Sequence, residues 1–246
     1  MKKLVGYITA SLPENNFTVD LAFNMKDAGV DILELGIPFT DPVADGPVIE
    51  KANLIALKNG FKLKDLFEVS SKIAPEMKTL WMGYANPFYH YGIEKFFAKA
   101  QEFGVKGAIV PDFPFEETLK YNKLASHYEQ ALISFVAPTH SENRIKKVVE
   151  HSKEFVYMVA YAGITGSGVE EDLSDIIDNV RKYTKTPLFI GFGVDEKTAK
   201  EKSKNVDGVI VGSAFVKHLI DDSLSNNEKI QRITAIAKEI KEKINE

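Results

Sequence analysis

Ala28-Gly29-Val30-Asp31-Ile32, Phe103-Gly104-Val105-Lys106-Gly107 and Asn205-Val206-Asp207-Gly208-Val209 are three versions of one joint. In each, a stretch with helical spacing runs into a short apolar stretch. Gly29 and Gly104 suit the left-handed residue that closes a helix. Apolar runs of strand length recur at 4–9, 32–36, 79–84, 108–111, 132–136, 156–160, 188–191 and 209–212. Between them, Phe17, Leu21, Met25 and Ala28, then Ile93, Phe96, Phe97 and Ala100, and finally Ile233, Ala237, Ile240 and Ile244 each mark one apolar helical face. Strand and helix alternating eight times predict a parallel sheet covered by helices. In a chain of 246 residues the pattern fits an eight-fold β/α (TIM) barrel. An open doubly wound sheet satisfies the same alternation, so the pattern alone leaves closure undecided. No Pro/Gly/Ser linker or abrupt change in charge divides the chain, and residues 1–246 read as a single domain.

Composition narrows the function classes. A net charge of −4 is opposite in sign to the clustered Lys and Arg of a general nucleic-acid binder. The absence of cysteine removes disulfides, thiolate nucleophiles and cysteine-ligated zinc together. Met1-Lys2-Lys3 precedes an apolar run too short for a signal peptide, and no stretch is long and apolar enough to span a membrane. The chain reads as cytoplasmic, without membrane or nucleic-acid partners.

The chemistry concentrates at the ends of the runs. In Asp31-Ile32-Leu33-Glu34-Leu35-Gly36, alternation sends Leu33 and Leu35 to one side and Glu34 to the other. With the leucines against outer helices, Glu34 points into the barrel, where desolvation raises a carboxyl toward the range useful for proton transfer. A rim glutamate paired with a cation is the plain alternative. The next segment, 37–47, is a proline-ruled loop carrying Asp41 and Asp45. It leaves the end of a strand where barrels hold their active sites, but loop aspartates also form turns and caps, and spacing does not choose between these two. Glycine-bearing loops follow the last three runs: Gly163-Ile164-Thr165-Gly166-Ser167-Gly168, Gly191-Phe192-Gly193 and Gly212-Ser213-Ala214. Their backbone N–H groups are candidates to converge on a phosphate, most clearly at Gly212-Ser213. His90, His127, His140, His151 and His218 lack metal-ligand spacing, and no nucleophile elbow or Walker loop is present. The ends of the runs carry no lysine for a Schiff base.

Leu33-Glu34-Leu35-Gly36-Ile37-Pro38-Phe39-Thr40-Asp41-Pro42-Val43-Ala44-Asp45-Gly46-Pro47 closely resembles the signature of the tryptophan synthase α-subunit family. Tyr84-Ala85-Asn86-Pro87, Val110-Pro111-Asp112-Phe113-Pro114, Gly163-Ile164-Thr165-Gly166, Gly191-Phe192-Gly193 and Val211-Gly212-Ser213-Ala214 extend the likeness in order along almost the whole chain. The resemblance implies a closed barrel and retro-aldol cleavage of indole-3-glycerol phosphate to indole and glyceraldehyde 3-phosphate. It makes Glu34 and Asp45 the catalytic carboxylates and Thr165 part of a loop that closes over substrate and bonds Asp45. It gives the phosphate to Gly166, Gly193, Gly212 and Ser213, and the indole pocket to Tyr7, Met82, Ile109, Tyr157 and Phe192, each of which also suits a plain core role. Pro38, Phe39, Asp41, Asn86 and Asp112 match positions facing a β subunit, in an assembly of two α and two β chains that passes indole between them. An exposed Pro38 and Phe39 would suit such a face, and a lid packed on its own barrel is the other reading. No metal, flavin or pyridoxal phosphate is required on this chain.

Two departures stand out. The chain starts almost directly at the first strand, without the helix that covers the barrel floor in many members, which puts stability at that end in question. Ala160-Tyr161-Ala162 replaces a commonly polar segment before Gly163, so loop closure is expected to differ in detail. Another phosphosugar barrel enzyme, a stand-alone indole-releasing lyase and a non-catalytic partner-binding barrel remain as alternatives. The first lacks motif support, the second differs only in partner binding, and the third is expected to have lost Glu34 or Asp45.

Overall fold

The joints that open the sequence are corners between helix and strand. Gly29 and Gly104 have φ of 103° and 84°, and Asn205 occupies the same corner at φ 58°. Glu129 and Glu154 turn two further corners at φ 56° and 61°, which the repeat does not show because both accept a strained conformation that glycine takes freely. The aspartates that follow two of these corners clasp a neighbouring strand. Asp31 accepts from the Leu4 N–H at 2.8 Å and Asp207 from the Leu188 N–H at 2.7 Å.

The computed structural model describes residues 1–159 and 173–246. Its strands are β1 (Lys3–Thr9), β2 (Ile32–Gly36), β3 (Thr79–Met82), β4 (Gly107–Ile109), β5 (Ala131–Leu132), β6 (Ser134–Val136), β7 (Val156–Val159), β8 (Leu188–Gly191) and β9 (Gly208–Val211). All pairings are parallel, in the order β5-β4-β3-β2-β1-β9-β8-β7-β6. The first and last strands are therefore neighbours, as in a ring and unlike a doubly wound sheet. The fifth apolar run appears as two strands instead of one because it divides its bonds at Ile133. Its first half pairs with β4, the Ile133 N–H still reaches the Ala108 carbonyl at 3.0 Å, and its second half pairs with β7. The chain itself thus closes the barrel.

Every residue of β2 is buried, as a strand between barrel lumen and outer helices must be. The helical faces read from spacing pack on that wall: Phe17, Leu21 and Met25, the set around Phe96, and the set around Ile240 are all buried, with Ala28 partly so. The floor near β1 is tied by the C-terminal helix Asn226–Lys243. The Lys241 ammonium bridges the Lys2 carbonyl and Asp31, and Lys3 pairs with the same carboxylate. These bonds hold Asp31 below the usual carboxylate range despite its partial burial. Among the described residues no helix is long and apolar enough to cross a membrane.

Candidate active site

A cavity of about 600 Å³ opens at the strand C-termini, and both Glu34 and Asp45 line it. Glu34 lies opposite Tyr7 in the β1–β2 register and is only 3% exposed. Its Oε2 is buried and has no hydrogen-bond partner among the described residues. Burial first, and then the charge of Asp45, push its pKa to about 8. Asp45 ends the loop after β2, just before the helix Pro47–Lys58. Burial raises it to about 6, against the hydrogen bonds of Tyr84 and Asn53, with Glu50 adding a smaller upward push. The Asn53 amide donates to Asp45 at 3.3 Å from within that helix. Two carboxyls in one cavity are thereby separated, so that near neutrality one holds its proton and the other does not.

Geometry also decides between the two loop acids. Asp41 is exposed and accepts from the Thr40 hydroxyl, away from the cavity, whereas Asp45 faces it. The loop is anchored by Tyr84, whose hydroxyl accepts from the Ala44 N–H at 3.1 Å and whose ring stacks on Phe39 at 5.3 Å. The exposed proline and phenylalanine that would suit a partner face are not exposed: Pro38 is buried and Phe39 half-buried, because the lid packs on its own barrel. Asn86 and Asp112 are exposed on the same rim, with Asp112 accepting from the Ala85 N–H at 2.9 and 3.1 Å. Val43, 82% exposed in the loop after β2, and Tyr89, 46% exposed in the helix Ala85–Tyr91 after β3, are large apolar groups presented to solvent on this side.

Tyr7, Met82, Ile109, Tyr157 and Phe192 all line the cavity, as do Gly193, Gly212 and Ser213. Phe192 and Gly193 both take left-handed conformations, φ 71° and 66°. Ser213 opens the helix Ser213–Leu219, whose first N–H groups have no acceptor within the helix. Gly36 and Gly191 make room for the two tyrosines: a Cβ at Gly36 would stand 2.2 Å from the Tyr7 hydroxyl, and one at Gly191 2.4 Å from that of Tyr157. Thr165, Gly166 and the Ala160-Tyr161-Ala162 departure lie outside the described residues.

Sequence reasoning missed Asn53, the anchoring part played by Tyr84, and several further lining residues, Phe135 and Lys217 among them. Tyr84 lies within a quoted motif, so a signal existed. Asn53 sits in an ordinary amphipathic helix and gives none. Among the described residues no group of three or more His, Asp or Glu side chains is placed to hold a metal ion.

Comparison with known proteins gives a consistent result. The family model for the tryptophan synthase alpha chain matches residues 1–245. The tryptophan synthase alpha chain of Wolinella succinogenes is 55% identical over 246 residues, covering 100% of this chain and 96% of its own. That of Petrotoga mobilis is 39% identical over 248 residues, covering 98% and 95%. Among solved structures, the tryptophan synthase subunit alpha of Campylobacter jejuni superposes with a TM-score of 0.85 at 35% identity, covering 97% of this chain and 95% of its own. A ligand-free tryptophan synthase of M. tuberculosis gives 0.88 at 28% identity, covering 100% and 94%.

Proposed function

The chain belongs to the tryptophan synthase alpha chain family, and on that premise we propose how its residues carry out the family's reaction, cleavage of indole-3-glycerol phosphate to indole and glyceraldehyde 3-phosphate. Indole is a poor carbanionic leaving group, so its ring carbon must be protonated before the carbon–carbon bond breaks. Glu34, protonated near neutrality, gives its proton to the ring carbon that bears the side chain. The positive charge this creates at the ring nitrogen is stabilised by the Asp45 carboxylate. The Glu34 carboxylate then takes the proton of the adjacent glycerol hydroxyl. As the aldehyde forms, the bonding pair returns to the ring and indole leaves. The observation that carries this reading is the separation of the two acids, about 8 and about 6, inside one cavity.

The indole ring is assigned to Tyr7, Met82, Ile109, Tyr157 and Phe192, the phosphate to the N–H groups of Gly166, Gly193, Gly212 and Ser213, and Thr165 to a bond with Asp45 over bound substrate. Lys217, in the last turn of the short helix that Ser213 opens, also lines the cavity and pairs with Glu196 at 3.8 Å. The chain acts as one barrel domain over 1–246, in the cytoplasm. It works with a tryptophan synthase β subunit, and we assign two α and two β chains to the assembly, with the rim bearing Pro38, Phe39, Asp41, Asn86 and Asp112 toward β. Of these, Asp41, Asn86 and Asp112 offer side chains for contact, whereas Pro38 and Phe39 shape the loop from beneath and Val43 supplies its apolar tip. Indole passes to β without entering bulk solvent.

The test is an assay of the purified chain with indole-3-glycerol phosphate, scored for glyceraldehyde 3-phosphate with and without a β subunit. Cleavage that rises on adding β is the expected result. Cleavage unaffected by β, with no association by calorimetry, would leave a stand-alone lyase, and no cleavage in either case would refute the reading.

A further inference from the structure

Beside the main cavity lies a second one of about 200 Å³, bounded in part by Thr118, Ser134, His140 and Arg144. It sits between β6 and the helices Phe115–His127 and Glu142–Glu150. Its outer side is built: the Arg144 guanidinium lies 5.3 Å from the centre of the Phe115 ring and pairs with Glu116. His140 Nδ1 is buried there without a hydrogen-bond partner among the described residues. Pro111 and Phe135 line both cavities. Phe135 pairs in register with Tyr157, and the two rings stack at 5.0 Å and 30°. Tyr157 is one of the residues placed against the indole above, while the phosphate lies across the cavity beyond β8 and β9. The ring of Phe135 therefore stands where the aromatic end of the substrate cavity meets the side cavity.

We propose that Phe135 is a specificity-determining partition, closing the aromatic end of the active site against the side cavity and restricting the enzyme to indole rings without a bulky substituent on the edge that faces it. The inference rests on the placement of the indole in the reading above. Close-packed side chains leave no slack for an added atom, and the space that would receive one lies on the far side of the Phe135 ring and Pro111, of which only Phe135 stacks on Tyr157. Shortening that ring joins a cavity of about 600 Å³ to one of about 200 Å³, and the joined space is anisotropic. It extends the pocket toward Ser134 and His140 and nowhere else, so the gain must depend on ring position.

The experiment uses four substrates, indole-3-glycerol phosphates with one bromine at ring position 4, 5, 6 or 7, each compared with the unsubstituted compound in the presence of β. Wild type is expected to discriminate against one position or two adjacent ones. Phe135→Leu and Phe135→Ala should raise relative kcat/KM at those positions by about 10-fold or more, the lower scale for a group admitted to or refused by an apolar pocket. Met82→Ala enlarges the main cavity at a residue that does not border the side cavity, so any gain it brings should fall at other ring positions. Thermal unfolding identifies the folded variants, and Phe135→Leu, which keeps an apolar side chain, carries the test if the alanine variant is unstable. Three results would each overturn the proposal: no positional bias in wild type, unchanged ratios in a folded Phe135 variant, or the same gain at the same positions from Met82→Ala. Failure of wild type to cleave even the unsubstituted substrate would instead refute the functional reading on which it rests.

Discussion

The β1–β2 and β7–β8 sides of the barrel are built on one device and part company at the inward residue beneath it. On the first, Tyr7 lies opposite Glu34 and its hydroxyl overhangs Gly36, the partner of Thr9 two residues on. On the second, Tyr157 lies opposite Phe189 and overhangs Gly191, the partner of Val159 two residues on. Register and overhang are the same, but where one side carries a buried carboxyl the other carries a ring stacked on Phe155 at 4.5 Å. The scaffold therefore supplies a slot, a strand tyrosine leaning over its neighbour's glycine, and the inward residue below the glycine decides whether that slot holds a carboxyl or only packs. The loops follow suit. The one after β2 is pinned by Tyr84 around Asp45, while the one after β8 offers two consecutive left-handed residues.

The comparison breaks most visibly in turnover. Glu34→Gln should lower it by at least about 10²-fold, the lower scale for a positioned acid–base group, whereas Phe189→Leu should lower the unfolding temperature and leave turnover within a few-fold. Steady-state kinetics with thermal melts check both, and near-normal turnover in folded Glu34→Gln would remove the distinction between the two sides. The same pair differs in stability against pH. Glu34 is raised in the fold from 4.5 to about 8, so between those values the native state binds the extra proton and wild-type stability falls as pH rises. Below about 4.5 the carboxyl is neutral in both states, and Glu34→Gln and wild type should respond alike. Toward pH 8 the variant should become relatively more stable, by on the order of 4 kcal/mol, measured by urea unfolding across that range. A constant gap would mean that Glu34 is not desolvated.

Gly36→Ala and Gly191→Ala test the shared slot. Each forces a tyrosine aside and should cost about 1–3 kcal/mol of stability, as overpacking does. Gly36→Ala, next to the acid, should act mainly on kcat, and Gly191→Ala, beside the loop proposed to hold the phosphate, mainly on KM. Equal effects on both constants would argue against a division of labour. The smallest effect concerns the pH profile. Asp45 ionised and Glu34 protonated make kcat/KM bell-shaped, with limbs near 6 and 8. Tyr84→Phe removes a hydrogen bond that lowers Asp45, so the acid limb should move to higher pH while the alkaline limb stays. Movement of the alkaline limb instead would exchange the roles of the two acids.

Much of this organisation is legible in the residues. Alternation around Glu34 gives its direction, because a two-residue period leaves one choice once Leu33 and Leu35 face the helices. The ring order does not follow from alternation, since closure depends on β9 meeting β1, a pairing across the length of the chain. Spacing does not choose Asp45 over Asp41, a choice that only the resemblance implies, for a similar reason: it depends on Tyr84 and Asn53, brought to the loop by β3 and by a helix whose spacing reports only its apolar face. The burial of Pro38 and Phe39 stands in the sequence only as one of two readings, because composition says that a loop is apolar, not which surface covers it. Phe135 reads as an ordinary strand residue until the space on both sides of its ring is seen.

The division of the fifth strand at Ile133 also bears on how the barrel breathes. A ring of parallel strands exchanges its amide hydrogens last where pairing is continuous and first where a short segment must serve two neighbours. β1 is held along its length by β2 and β9, whereas each half of the fifth strand has a paired neighbour on one side only. Deuterium uptake should therefore begin around 131–136 and reach β1 late. The wall of the barrel would then loosen first beside Phe135, at the aromatic end of the cavity, while the strand opposite Glu34 keeps the acid in place.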